Sequence, residues 1–354
     1  MAVTATELNP ELAAQEANLR YMCDDRPGYT RRRHGKGFIY LDPRGKLVTD
    51  ASVKAWLRSL VIPPAWQEVW ISPFRNGHLL ATGRDEKGRK QYIYHPRWTE
   101  CRAETNFHRL LAFGEALPAL RARIDADLRR HGLPRERVLA LVVHLLESTL
   151  IRVGNPQYAR DNRSYGLTTL RRRHLDVDGT RLHFEFRGKS GKNHVVDLQD
   201  RRAARIIRAC QELPGQELFQ YLDERGARHC IDSADVNEYL SASGENFTAK
   251  AFRTWGGSAA MVGMLMELPP PANKKETRHN LRLALRTTAE RLRNTQAVCR
   301  RHYVHPLIER RYEDASFFEI CHSGQCAEPA LNEEEQALMN LLYAEAQAVG
   351  TGSK

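Results

Sequence analysis

The 354-residue chain has no apolar run approaching the ~20 residues that a membrane-spanning helix needs. Its start, Met1-Ala-Val-Thr-Ala-Thr-Glu-Leu-Asn-Pro10, lacks the basic-then-apolar order of a secretory leader. The seven cysteines (23, 101, 210, 230, 299, 321 and 326) are odd in number, scattered and without CxxC spacing. That argues against a disulfide framework and predicts reduced thiols in a cytoplasmic protein. Cys321-His322 with Cys326 is half of a metal pattern without its other half, so no metal site is expected. Gly188-Lys189-Ser190 does not complete a nucleotide-binding loop, because His183 stands where that motif needs glycine. No carboxylate cluster suggests a metal, and no cofactor is expected. Acidic residues are in deficit, 43 against 54 Lys and Arg, for a net charge of +11. Such a surplus points to a polyanionic partner, most simply nucleic acid.

Apolar residues make up 42% of the chain, enough for a core, and the length suits two or three domains. Residues 1–20 read as a short lead. Residues 21–100 read as a small sheet-rich domain. In it Gly35–Lys46 is expected to form strand, turn and strand. Val53–Leu60 is expected to be a helix stopped by Pro63-Pro64, with strands near Val69–Ile71, His78–Thr82 and Gln91–Tyr94. Residues 101–314 read as mainly helical. Leu110, Phe113, Leu117 and Leu120 share one face, and Val138, Leu141, Val142, Leu145 and Leu146 recur at helical spacing up to about residue 151. Arg181–Phe186 alternates, Gly188–Gly191 turns and His194–Leu198 resumes, which predicts a β-hairpin inserted among helices. Residues 315–354 read as a helical tail. The fold class is α+β.

Chemistry gathers at Tyr303, which follows Arg300, Arg301 and His302. A phenol with a pKa near ~10 is a poor nucleophile at neutral pH, and neighbouring positive charge makes it a better one. Arg152, Lys189 and Arg253 stand in marked local contexts, and Lys250 shares a helical face with Arg253 at i, i+3. Each also has a plain reading: a charge at a helix C-terminus, an exposed turn lysine, a solvated basic face. The segment Asp85–Tyr94 interleaves Arg89, Gln91, Tyr92 and Tyr94, and such side chains can read base edges or only grip a surface.

Order and spacing decide between these readings. Ile62-Pro-Pro-Ala-Trp66, Lys87-Gly-Arg-Lys-Gln91-Tyr92-Ile-Tyr94, Ile151-Arg-Val-Gly154, Ser164-Tyr-Gly-Leu-Thr-Thr-Leu170, Gly188-Lys-Ser-Gly-Lys-Asn-His194, Lys250-Ala-Phe-Arg-Thr-Trp255 and Arg301-His-Tyr303 occur in this order. Together they resemble the type IB DNA topoisomerases of the small, poxvirus-like bacterial kind, from about Tyr21 to Tyr312. The resemblance implies the tyrosine recombinase-like catalytic fold. It implies an isomerase that relaxes double-stranded DNA through a 3′-phosphotyrosine, without ATP or a required metal. It further implies that Tyr303 attacks, that Arg152 and Arg253 hold the phosphate oxygens, and that Lys189 protonates the leaving oxygen with Lys250 assisting. Asn294, nine residues before Tyr303, would hydrogen-bond the phosphate, but a neutral amide cannot act as an acid there. Gln91, Tyr92, Tyr94, Arg89 and Arg102 would contact DNA. A monomer clamping duplex DNA at the bacterial nucleoid is the implied working form. A tyrosine site-specific recombinase and a non-enzymatic DNA-binding protein are the alternatives, and Tyr312 is the fallback nucleophile.

Overall fold

The computed structural model describes residues 10–351 except 36 and 243–246; side chains are described for all of these but 16, 102–106, 108, 190 and 349–351. The chain divides into two compact units, Met1–Asn106 and Phe107–Lys354.

The first unit contains helix α1 (Pro10–Glu16), strands β1 (Tyr29–His34) and β2 (Gly37–Leu41), helix α2 (Ala51–Ser59), and strands β3 (Gln67–Ile71), β4 (Leu79–Arg84) and β5 (Lys90–Tyr94). The five strands form one antiparallel sheet in the order β2-β1-β3-β4-β5. Asp50 caps α2 by accepting from the Ser52 and Val53 amides, which satisfies donors the helix cannot use itself. Val48, Leu57, Ile62, Val69, Ile71 and Ala81 form the core beneath the sheet.

Of the strand, turn and strand expected over 35–46, the first strand is β2 and the turn follows it, but the return is only an isolated bridge, Leu41↔Leu47, and the strand that pairs along β2 is β1 before it. Asp42–Lys46 is that turn, closed by the Asp42 carboxylate accepting from the Arg44 and Lys46 amides at 2.9 and 2.8 Å. Arg31-Arg32-Arg33 hid β1, because three consecutive cations look like surface charge. Arg31 instead donates to the carbonyls of Ile62, Pro63 and Trp66 and lies 4.1 Å from the Phe38 ring centroid. It therefore fixes the Ile62–Trp66 motif, where two prolines have no amide with which to anchor the loop.

The division between the units falls inside helix α3 (Pro96–Leu128), which begins earlier than its apolar face suggests. The second unit continues with α4 (Arg135–Thr149), α5 (Pro156–Asn162), strands β6 (Leu175–Asp178), β7 (Arg181–Arg187) and β8 (Asn193–Gln199), and α6 (Arg201–Glu212). Then come β9 (Gln220–Leu222), β10 (Arg228–Cys230), α7 (Ser233–Ser241), α8 (Ala249–Met266), α9 (Lys274–Arg291), α10 (Gln296–His302), α11 (Pro306–Glu313), α12 (Phe317–Cys321) and α13 (Glu333–Thr351). The inserted hairpin is β7–β8, paired in register from Arg181↔Gln199 to Arg187↔Asn193. It carries a third strand, β6, and β9 pairs with β10; the sequence reading contains neither, since strands this short leave little alternation to see.

Two apolar helices make the floor of this unit. In α4 every residue from Val138 to Val143 is buried, and α8 is buried along most of its length. Phe113 of α3 meets Phe252 and Trp255 of α8 at ring-centroid distances of 5.1 and 5.9 Å. The stretch read as a tail belongs to the same compact unit. From α13 the Glu335 carboxylate accepts from the Trp255 indole at 2.9 Å and from Arg121 at 2.7 Å. Among the described residues no helix is long and apolar enough to cross a membrane.

The floor gives a direct stability test. Phe113 is 1% exposed, so Phe113→Ala should cost about 3–5 kcal/mol in urea unfolding. A loss below about 1 kcal/mol would show that α8 does not depend on this packing.

Candidate active site

Helix α4 ends at Thr149, and Leu150 turns the chain through a left-handed conformation (φ 53°). Arg152 therefore does not close the helix, as the sequence pattern suggests, but stands in the extended segment beyond. That segment is held from one side: the amides of Leu167 and Thr168 donate to the carbonyls of Arg152 and Val153 at 2.9 and 2.7 Å. A Cβ on Gly166 would lie 2.5 Å from the Arg152 carbonyl oxygen, so only glycine permits this approach. The Ser164–Leu170 motif is thus a brace for Arg152.

Helix α9 finishes in a similar way. Leu292 caps it, Arg293 is left-handed (φ 54°), and Asn294 follows. Thr295 then caps α10 by accepting from the Val298 amide, and Tyr303 ends that helix. The Ser258 hydroxyl of α8 donates to the Tyr303 carbonyl at 3.2 Å and accepts from the His305 amide at 3.1 Å. Gly257 makes the contact possible, since a Cβ there would lie 2.8 Å from the Tyr303 carbonyl oxygen.

Arg253 of α8 joins these pieces. It is 4% exposed, whereas Lys250 one turn earlier is exposed, so two cations that share a helical face at i, i+3 have opposite fates. The Arg253 guanidinium donates to the carbonyls of Leu150 and Leu292, the caps of α4 and α9. Its carbon stands 4.9 Å from the Tyr303 ring centroid. Arg152 donates to the side-chain oxygen of Asn294, which leaves the buried Asn294 amide nitrogen without a protein partner. The Arg253 Nε is likewise buried and unpartnered.

Lys189 opens the tip of the β7–β8 hairpin and is exposed. Among the described residues no carboxylate pairs with Arg152, Lys189 or Arg253. Burial pushes the Arg253 guanidinium down to about 10, although the Tyr303 phenol beside it pulls the other way. For Tyr303, burial alone would raise the phenol; the charges of Arg253, Arg152 and Lys189 outweigh it and hold the phenol below its ordinary value. The cluster is built to receive an anion and to ease ionisation of one tyrosine.

Tyr303, Arg152, Arg253 and Asn294 are therefore brought together, with the Lys189 charge felt at the phenol. Tyr312 is not a rival nucleophile: it is 2% exposed, its hydroxyl accepts from Asn280, and burial raises its pKa. In the first unit, Tyr92 and Tyr94 project from β5, 47% and 43% exposed, stacked at 5.9 Å. Gln91 and Arg89 both donate to Asp85, at 2.9 and 2.7 Å. The Arg102 side chain lies outside the described residues. The sequence reading assigned no part to Arg293 or His194, although both border the cluster; His194 closes one of the motifs quoted above. Cys321, His322 and Cys326 do not assemble, and among the described residues no three metal-ligating side chains gather.

The site sets one tyrosine among cations in a mainly helical unit. Residues 97–315 match the family model of the eukaryotic DNA topoisomerase I catalytic core, and residues 37–85 match that of the bacterial DNA topoisomerase IB N-terminal domain. The chain is 31% identical to DNA topoisomerase 1B of Acanthamoeba polyphaga mimivirus over 84% of its own length and 91% of the relative's. It is 23% identical to DNA topoisomerase 1B of vaccinia virus, covering 85% and 87% of the two chains. The chain belongs to the type IB DNA topoisomerase family, the isomerases that act on DNA.

The cluster's hold on the phenol can be read by titration. The difference between the ultraviolet pH titrations of wild type and Tyr303→Phe isolates one phenol, expected to ionise below ~10. Arg152→Ala removes a cation without opening the buried Arg253 site, so it should raise that midpoint. An unmoved midpoint would mean that the phenol does not feel the cluster.

Proposed function

We propose that Tyr303 cleaves one strand of duplex DNA by transesterification, lets the free 5′ end swivel, and reseals the break. The observation that carries this reading is a half-buried phenol beside Arg152, Lys189 and Arg253, which have no carboxylate partner among the described residues. Its oxygen attacks the phosphorus, the bond from phosphorus to the 5′ oxygen breaks, and a 3′-phosphotyrosine forms. Lys189 gives a proton to the departing 5′ oxygen, and the phenol proton passes to water. One phosphate ester replaces another, so resealing is the reverse reaction and draws on no nucleotide.

Arg152 and Arg253 stabilise the charge that builds on the non-bridging oxygens. The free amide nitrogen of Asn294 adds a hydrogen bond, its orientation set by Arg152. An amide has no proton to give at neutral pH, so Asn294 binds and does not transfer. Lys250 supports Lys189: burial pushes the His302 imidazole below its ordinary value, and Lys250, Arg301 and Lys189 all add to it, which supports a shared neighbourhood for the two lysines. Tyr92 and Tyr94 offer a stacked aromatic pair to the DNA, and Gln91, Arg89 and Arg102 are the further contacts.

The working form is a monomer. A site-specific recombinase would exchange a C-terminal segment between protomers, whereas here α13 is locked onto α8 of its own chain through Glu335 and Trp255. The bacterial N-terminal domain match supports a place at the bacterial nucleoid.

A duplex whose cleaved end diffuses away should trap the enzyme covalently, with the label on Tyr303. Tyr303→Phe should bind DNA normally, form no adduct and relax no plasmid, with or without chelator. Label on another residue, or relaxation by Tyr303→Phe, would sink the assignment. Arg152→Ala should slow cleavage by roughly 10²–10³-fold, the usual cost of one donor to a developing oxyanion.

A further inference from the structure

The hairpin that bears Lys189 needs something to set its height over the site. His194 pairs with Phe186 across the two strands, and the rings stack at 5.1 Å with planes 24° apart. It is 4% exposed, and neither ring nitrogen has a hydrogen-bond partner. Buried polar atoms are nearly always satisfied, and leaving one unpaired costs about 1–3 kcal/mol. An aliphatic residue would avoid that cost, so packing alone does not explain a histidine here.

The other side of the ring explains more. A Cβ on Gly188 would lie 2.4 Å from the His194 Nε2 and 2.5 Å from Cδ2, closer than side-chain carbons approach other atoms. Gly188 has φ −97°, which any residue adopts. Glycine stands there because of the imidazole, not because of the turn. The backbone of residue 188 rests on the ring edge, and the tip is closed above it by the Gly188 amide donating to the Lys192 carbonyl at 2.8 Å. Lys189 is the next residue. Below, Arg293 donates to the Val195 carbonyl at 3.1 Å, tying β8 to the segment that carries Asn294.

We infer that His194 is a positioning residue: its ring is the seat on which Gly188 rests, and it fixes the stand of the Lys189 ammonium over the scissile phosphate. Burial and the nearby Arg293, Arg152 and Arg253 push the imidazole down to about 4, so the seat is neutral at working pH and adds no competing charge. The inference rests on the reading of Lys189 as proton donor.

The test compares single-turnover cleavage of two duplexes, one ordinary and one with sulfur in place of the 5′ bridging oxygen. A thiolate leaves without a proton, since thiols ionise near ~8.5, so the sulfur substrate bypasses the acid. Lys189→Ala should be slow on oxygen and restored on sulfur. His194→Ala should lose about 10- to 100-fold on oxygen, as a misplaced acid does, and less than about threefold on sulfur. Gly188→Ala drives a methyl against the same ring and should show the same split; if His194→Ala does not fold, it carries the comparison. In the double variant the methyl added at position 188 enters the space the ring vacates, so its oxygen rate should exceed that of Gly188→Ala alone. If sulfur fails to restore Lys189→Ala, the reading of Lys189 falls and the seat with it. If sulfur restores Lys189→Ala but His194→Ala is equally slow on both substrates, or normal on both, only the seat is overturned.

Discussion

A buried guanidinium with no carboxylate partner among the described residues organises the second unit. Arg253 lies almost out of water, and its partners are the carbonyls of Leu150 and Leu292. Both residues cap the C-terminal ends of helices, where the peptide dipoles leave about half a negative charge. Two such ends offset much of the cost of burying the cation. They do so without a carboxylate, which would compete with a phosphate for the same donors. The charge is held firmly and remains available.

The same two helix ends explain where the other groups stand. Arg152 follows Leu150 by two residues, and Asn294 follows Leu292 by two. Each chain turns through one left-handed residue on the way, Leu150 in the first case and Arg293 in the second. Because Arg253 grips both caps, it sets the spacing between the two segments, and the bond from Arg152 to Asn294 closes the frame. Tyr303 is brought to this frame by α8 itself, through Ser258 and the bare backbone of Gly257. One helix therefore places both the buried cation and Tyr303, and α13 holds that helix from behind.

Much of this was legible in the sequence, because the motifs record local chemistry. The β7–β8 hairpin, the apolar α4 and the strand with Tyr92 and Tyr94 follow from alternation or helical period. The frame was not legible. Lys250 and Arg253 are equivalent cations at i, i+3 on paper, and only packing against α4 and α9 buries one of them. The first strand was hidden because Arg31 serves a structural purpose, binding three carbonyls of a proline-rich loop that has few amides to give. The strands β6, β9 and β10 are too short to declare a period, and their partners define them.

The frame also bears on why Asn294 can stand where a charged group would seem more useful. Transfer between two esters needs stabilisation of an oxyanion, and it needs a proton at one oxygen only, the one that leaves. A proton donor at position 294 would sit on the side of the non-bridging oxygens, where protonation gains little and a second titrating group would tie the site to pH. An amide fixed by Arg152 presents a hydrogen bond whose strength does not vary over the working range. In the proposed mechanism acid chemistry is thereby left to the hairpin, which rests on a neutral ring. In that mechanism, separating the charge-stabilising arginines from the proton donor lets cleavage and resealing use the same groups in reverse, with nothing to be reset between them.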